Sequence, residues 1–231
     1  MPHSSDSLAD KFALNMLGGT PGTGESSSAV CIKMSRVNHS CLPNAYQVDE
    51  PGYGVKMLIV RRSIKEGEEI TIAYLDHFDP VRFNDATTAR GAGLGKLILS
   101  EKYGIKCSSD CACHEEVYLE EVQRAGELDA MILKQGSYGK VQDALRNVDS
   151  LLRLFDKPDS ATSAPTTRLR ALYDGFQIGI TKRATLKKAM KYAKEAHVLA
   201  VHVYGSGSEE AVKWKRYLEM PSSHRNYLLR D

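Results

Sequence analysis

Across the first 28 residues apolar positions are scattered among small and polar ones. Gly18 to Ser28 is a run of Gly, Thr, Pro, Glu and Ser that predicts an exposed loop. From Ala29 to Met34 the chain turns apolar and β-prone. Two strands are predicted over 44–48 and 55–61, joined by Asp49-Glu50-Pro51-Gly52-Tyr53-Gly54, and a shorter one over 70–74 after the Glu66-Gly67 turn. Beyond Cys113 the apolar period changes from two to about 3.6. Val141, Leu145, Val148, Leu151, Leu152 and Phe155 fall on one helical stripe, and Leu186, Met190, Ala193, His197, Ala200 and Tyr204 on another. Between them, 156–165 carries two prolines among small polar residues and reads as a loop.

This pattern predicts an α+β protein in three parts. Residues 1–28 form a polar segment, 29–114 a small β-rich unit ending in a cysteine tail, and 115–231 an all-α domain of helical hairpins. Paired helices suggest a tetratricopeptide-like arrangement, although the sequence shows no 34-residue period. A chain of 231 residues can bury one good core or two small ones.

Charge and cysteine content narrow the possible partners. Lys plus Arg number 31 against 29 Asp plus Glu, so no global field recruits nucleic acid or an acidic membrane. Lys182, Arg183, Lys187, Lys188, Lys191 and Lys194 lie largely opposite the second apolar stripe, which reads as a solvated helix face. No apolar run approaches the roughly 20 residues that span a bilayer. Met1 to Leu17 lacks a basic start followed by an apolar core. The expectation is an intracellular protein of nucleus or cytoplasm. Three of the five cysteines, Cys107, Cys111 and Cys113, fit a metal site better than a disulfide scaffold. Cys31, inside the apolar stretch, is expected to be a small core residue.

The densest chemistry lies in Asn38-His39-Ser40-Cys41-Leu42-Pro43-Asn44 and, about thirty residues on, in Gly67-Glu68-Glu69-Ile70-Thr71-Ile72-Ala73-Tyr74. Alone, the first run would be an Asx-turn with a satisfied histidine. In this order and spacing, with the cysteine run behind them, the two segments resemble the paired signature of SET-domain protein lysine methyltransferases, in particular the SET-MYND-like group.

That resemblance implies a knotted active site with S-adenosyl-L-methionine as methyl donor and a protein lysine, histone or non-histone, as acceptor. Asn38 and His39 would bind the cofactor, largely through backbone contacts. Tyr74 would line the methyl-transfer channel as the catalytic residue and touch the cofactor as well. Cys41 would join Cys107, Cys111 and Cys113 of a post-SET-like tail around one structural zinc, with His114 as an alternative fourth ligand. The tail departs from the family's usual spacing, reading Cx3C and then CxC with Ser109 between, and Ile105 stands where an aromatic residue normally packs against the cofactor. The helical domain is the expected site for a protein partner.

Two glycine patterns are set aside. Gly19 to Ser26 nearly spells GxxxxGK[ST], but Glu25 replaces the lysine and would repel phosphate. Gly22-Thr23-Gly24 lies too close to Asn38 to be the family's cofactor turn. The resemblance covers about Leu14 to His114, and the GxG half of the cofactor site is not found in it. The competing expectation is therefore a catalytically weak or inactive remnant of the domain that acts as an interaction module.

Overall fold

The computed structural model describes residues 17–18, 28–50, 55–75, 99–157, 160, 162 and 164–231. It divides into two compact units, one running to residue 75 and including 99–113, the other beginning at His114. The Gly19–Ser26 pattern and the 51–54 turn lie outside the described residues.

In the first unit, β1 (Leu17–Gly18) pairs antiparallel with β2 (Ser28–Ala29). The apolar run after β2 does not continue as a strand: the chain coils into a 3-10 turn at Met34–Arg36, leaving Ile32 82% exposed while Met34 is buried. Lys33 interrupts the run and Ser35 and Arg36 follow it, so it has no continuous face to bury. β3 (Asn38–His39) is followed by β4 (Ala45–Glu50), which forms an antiparallel hairpin with β5 (Val55–Val60) in the register Ala45↔Val60 to Glu50↔Val55. The predicted 70–74 strand contracts to β6 (Thr71–Ile72), which pairs parallel with β3.

The second unit is helical: α1 (Glu116–Ser137), α2 (Val141–Phe155), α3 (Pro165–Gly179), α4 (Leu186–Tyr204) and α5 (Glu209–Glu219). Consecutive helices pack on one another, and α1 also touches α3. Every residue of the predicted α2 stripe is buried. Pro165 begins α3 at its first turn, where the missing N–H has no helical partner to lose. On α4 the buried line keeps Ala193 and Ala200 of the predicted stripe but is otherwise rotated from it. Ala189, Tyr192, Ala193, Ala196, Ala200 and Val203 are buried, whereas Leu186, Met190, His197 and Tyr204 are half-buried. Small residues face α3 because α3 itself presents glycine there: a Cβ on Gly179 would sit 3.1 Å from the Ala189 Cβ. Ser208 caps α5 by accepting the Ala211 N–H, and Trp214, fully buried, donates its indole N–H to Glu210. No helix among the described residues is long and apolar enough to cross a membrane.

Candidate functional site

The two sequence motifs meet because their backbones pair. Asn38 lies opposite Thr71 and His39 opposite Ile72, and the Ser40 N–H donates to the Ile72 carbonyl at 3.0 Å. A two-residue ladder is weak alone, and Asn44 reinforces it. This side chain is only 2% exposed, and both its oxygen and its amide nitrogen are engaged. Its Oδ1 accepts the Thr71 N–H at 2.9 Å, while its Nδ2 donates to the Glu69 carbonyl at 2.8 Å and to Glu68 Oε1 at 3.0 Å.

Glu68 is in turn held by Arg62 Nη2 and by the Lys65 N–H. The Arg62 hydrogen bond, then those from Asn44 and Lys65, keep its carboxyl down at about 2. The turn that brings it round closes with the Glu68 N–H on the Lys65 carbonyl, and Gly67 occupies it at φ +82°, a conformation that disfavours any Cβ.

Tyr74 follows β6 and is fixed at both ends. Its N–H donates to His39 Nδ1 at 3.1 Å, and its hydroxyl donates to the Val37 carbonyl at 2.7 Å. The ring lies 5.4 Å from the His39 ring at 53° and 5.1 Å from Tyr103 at 59°. Burial, with smaller contributions from Tyr103 and Glu69, raises its phenol above the usual tyrosine range. At neutral pH it is an uncharged hydroxyl whose proton is committed to Val37, leaving oxygen lone pairs to accept. Tyr103 closes a helical turn over 99–103 and is followed by Gly104 at φ +67°. Asn38 Nδ2 donates to Glu69 Oε1 at 2.5 Å on the exposed side.

Cys41, Cys107, Cys111 and Cys113 come together, all four sulfurs lying within 4.8 Å of one another. Cys41 and Cys107 are 3.7 Å apart, and Cys111 and Cys113 3.4 Å. A tetrahedral ion with metal–sulfur bonds of about 2.3 Å requires sulfur separations of about 3.8 Å. Burial first, then the neighbouring thiols, push Cys41 far up, and burial with the Cys111 and Cys107 hydrogen bonds pushes Cys113 up to about 12. Burial of Cys111 acts the same way but is outweighed by hydrogen bonds from Cys113, Cys41 and Cys107, so its thiol falls. Four thiols this close cannot all ionise unaided; a divalent thiophilic cation removes that conflict. The donor set therefore fits a closed tetrahedral cation such as zinc. Cys31 is half-buried and stands apart from this group.

The structure thus gathers Asn38, His39 and Tyr74 in one place and the four cysteines in another, the two adjoining through His39 Nε2, 3.3 Å from Cys41 Sγ. Sequence reasoning gave no task to Asn44, Glu68, Val37 or Tyr103. Asn44 carried a signal, since it closes the first motif beside a proline. The Val37 carbonyl carried none, because a backbone acceptor has no residue type.

Comparison with known proteins agrees with this geometry. The family model of the SET domain matches residues 7–75, which include both motifs but not the 107–113 cysteines or the helical unit. The chain is 26% identical over 205 residues to the histone-lysine N-methyltransferase set5 of Schizosaccharomyces pombe, covering 82% of this chain and 56% of that protein. It is 31% identical over 98 residues to a putative SET domain-containing protein of Acanthamoeba polyphaga mimivirus, covering 42% of this chain and 33% of that one. Residues 7–75 thus match the SET domain, and the likeness to these two relatives supports that match. It spans about half the length of the first relative and a third of the second.

Proposed function

We propose that this chain works in S-adenosyl-L-methionine-dependent methylation of protein lysine side chains, as a member of the SET-MYND-like group acting in nucleus or cytoplasm. The observation that carries this reading is the double anchoring of Tyr74, by His39 Nδ1 and by the Val37 carbonyl, beside the strand that bears Asn38 and His39. The cofactor supplies an electrophilic methyl on a sulfonium.

The chain's residues have two tasks. A lysine ammonium with pKa about 10.4 leaves about one free amine in a thousand at pH 7.4, a deficit of about 4 kcal/mol. The Tyr74 and Tyr103 rings provide apolar walls that disfavour the ammonium and so lower that pKa. The Tyr74 hydroxyl, with its proton on Val37, offers a lone pair that orients the free amine. The backbone of Asn38 and His39 would hold the cofactor. Cys41, Cys107, Cys111 and Cys113 would hold a structural zinc as a post-SET-like clasp on the tail after Tyr103. The helical unit, in a tetratricopeptide-like arrangement, would carry a protein partner.

The test is transfer of a labelled methyl group from S-adenosylmethionine to a mixed histone and cytosolic extract, with zinc present. The expected result is label on lysine, lost in Tyr74→Phe. Absence of label, together with no heat on titration at millimolar cofactor, would sink the proposal and leave the interaction-module reading.

A further inference from the structure

The function just proposed uses the backbone of His39 and one nitrogen of its imidazole, and leaves the other, Nε2, without a task. The ring's two nitrogens point in different directions. Nδ1 accepts the Tyr74 N–H at 3.1 Å. A backbone amide can only donate, so Nδ1 carries the lone pair, and in the neutral ring the proton sits on Nε2. Nε2 lies 3.3 Å from Cys41 Sγ, in range for an N–H···S hydrogen bond. Cys41 is 4% exposed, and through the His39 ring it is linked to the Tyr74 N–H. A thiolate bound to a cation keeps lone pairs, and an N–H aimed at one of them fixes its direction and offsets part of its charge.

We propose that His39 is a positioning residue whose imidazole ties the four-cysteine metal site to the backbone of Tyr74, so that a loaded site holds Tyr74 in place. This rests on the zinc and channel assignments above. It predicts a coupling in both directions: metal loading protects the Tyr74 amide, and loss of the imidazole loosens the metal.

Two variants of the full chain separate the two halves of the ring. In His39→Asn the amide oxygen stands near the position of Nδ1, so Tyr74 keeps an acceptor while Cys41 loses its donor. In His39→Gln the amide nitrogen stands near Nε2, so Cys41 keeps a donor while Tyr74 loses its acceptor. The readouts are zinc release into excess chromophoric chelator, the thiolate-to-cobalt absorption band of the cobalt-loaded chain, and hydrogen exchange of the Tyr74 amide with and without zinc.

Expected are zinc release at least about 10-fold faster and a shifted cobalt band in His39→Asn, with both near wild type in His39→Gln. Stripping zinc should raise Tyr74 amide exchange about 10-fold in the wild type and hardly at all in His39→Asn. Wild-type zinc release and an unshifted band in His39→Asn, or Tyr74 exchange indifferent to zinc in the wild type, overturn the inference and leave the methyl-transfer reading standing. A wild-type chain that takes up neither zinc nor cobalt overturns it together with the zinc assignment. Loss of methyl transfer alone touches only the proposed function, because none of the three readouts depends on turnover.

Discussion

The Asn44 side chain accepts the Thr71 N–H at 2.9 Å, across 27 residues of sequence, and so joins the end of one motif to the strand of the other. With its amide on the Glu69 carbonyl and Glu68, it braces a parallel ladder only two residues long. Asn44→Ala would leave the Thr71 N–H and the Glu69 carbonyl without their partner beside a buried position, a loss of about 2–4 kcal/mol. Hydrogen exchange of the Thr71 amide should speed up by at least about 30-fold in the variant. Asn44→Asp should be worse, since it sets a carboxylate against Glu68. Wild-type exchange at Thr71 in either variant would show that the ladder stands without Asn44.

The legible parts of this chain were those with a period long enough to read. The hairpin of β4 and β5 announces itself through the β-prone runs 44–48 and 55–61 on either side of Pro51-Gly52, and α2 through a complete apolar stripe. β3 and β6 have two residues each and carry no period; their pairing follows from backbone contacts and from Asn44, which a pattern of apolar positions does not encode. The α4 stripe was legible at Ala193 and Ala200, which are buried, but misplaced elsewhere, because hydrophobicity ranks Leu186 and Met190 above alanine while close approach to Gly179 of α3 selects Ala189. Motif residues Asn38, His39, Cys41 and Tyr74 were identifiable by type. Tyr103 and the Val37 carbonyl, which complete the Tyr74 environment, emerge only in three dimensions.

Removing one ligand tests the cysteine site. Structural zinc in a four-ligand site is worth on the order of 10–16 kcal/mol, so one thiolate in four carries about 3 kcal/mol, or about 10²-fold in affinity. Cys107→Ser should therefore lower zinc affinity about 100-fold or more in competition with a chelator. Cys31→Ser should keep the wild-type stoichiometry, because Cys31 lies outside the group of four. Equal zinc content in Cys107→Ser and wild type after dialysis against chelator would remove Cys107 from the ligand set.

The contact between α3 and α4 predicts a stability effect in the helical unit. A Cβ on Gly175 would lie 2.8 Å from two Tyr192 ring atoms and 3.0 Å from Val148. Tyr192 has little freedom to yield, since its hydroxyl donates to Asp149 at 2.6 Å. Gly175→Ala should destabilise the unit by about 1–3 kcal/mol. The single tryptophan, Trp214, sits fully buried in α5, so its emission during urea unfolding reports this unit. An unchanged midpoint would mean that the helices separate at negligible cost.

Asp174 makes the stability of the helical unit pH-dependent in a direction opposite to that of an ordinary salt-bridged carboxylate. It lies on α3, 7% exposed, with Gln177 donating to it at 2.7 Å and with Asp129 and Arg170 near by. Burial pushes its carboxyl up to about 6 from 3.8, against the Gln177 hydrogen bond, while Asp129 adds repulsion that Arg170 partly offsets. The folded state thus holds the proton more tightly than the unfolded chain. Above the unfolded value, ionisation begins to oppose folding; the penalty grows as pH rises through 6 and levels off above it at up to about 3 kcal/mol. Well below the unfolded value of 3.8 both states are protonated and the penalty vanishes. Asp174→Asn keeps an oxygen to accept from Gln177 and carries no charge. It should be more stable than wild type by about 1–3 kcal/mol at pH 8, with the advantage shrinking through pH 6 and small near pH 4. Urea unfolding followed by Trp214 emission at several pH values measures the difference directly, and titrating groups remote from Asp174 cancel between the two proteins. A difference that stays constant from pH 4 to pH 8 would mean that Asp174 ionises in the fold as readily as in the open chain.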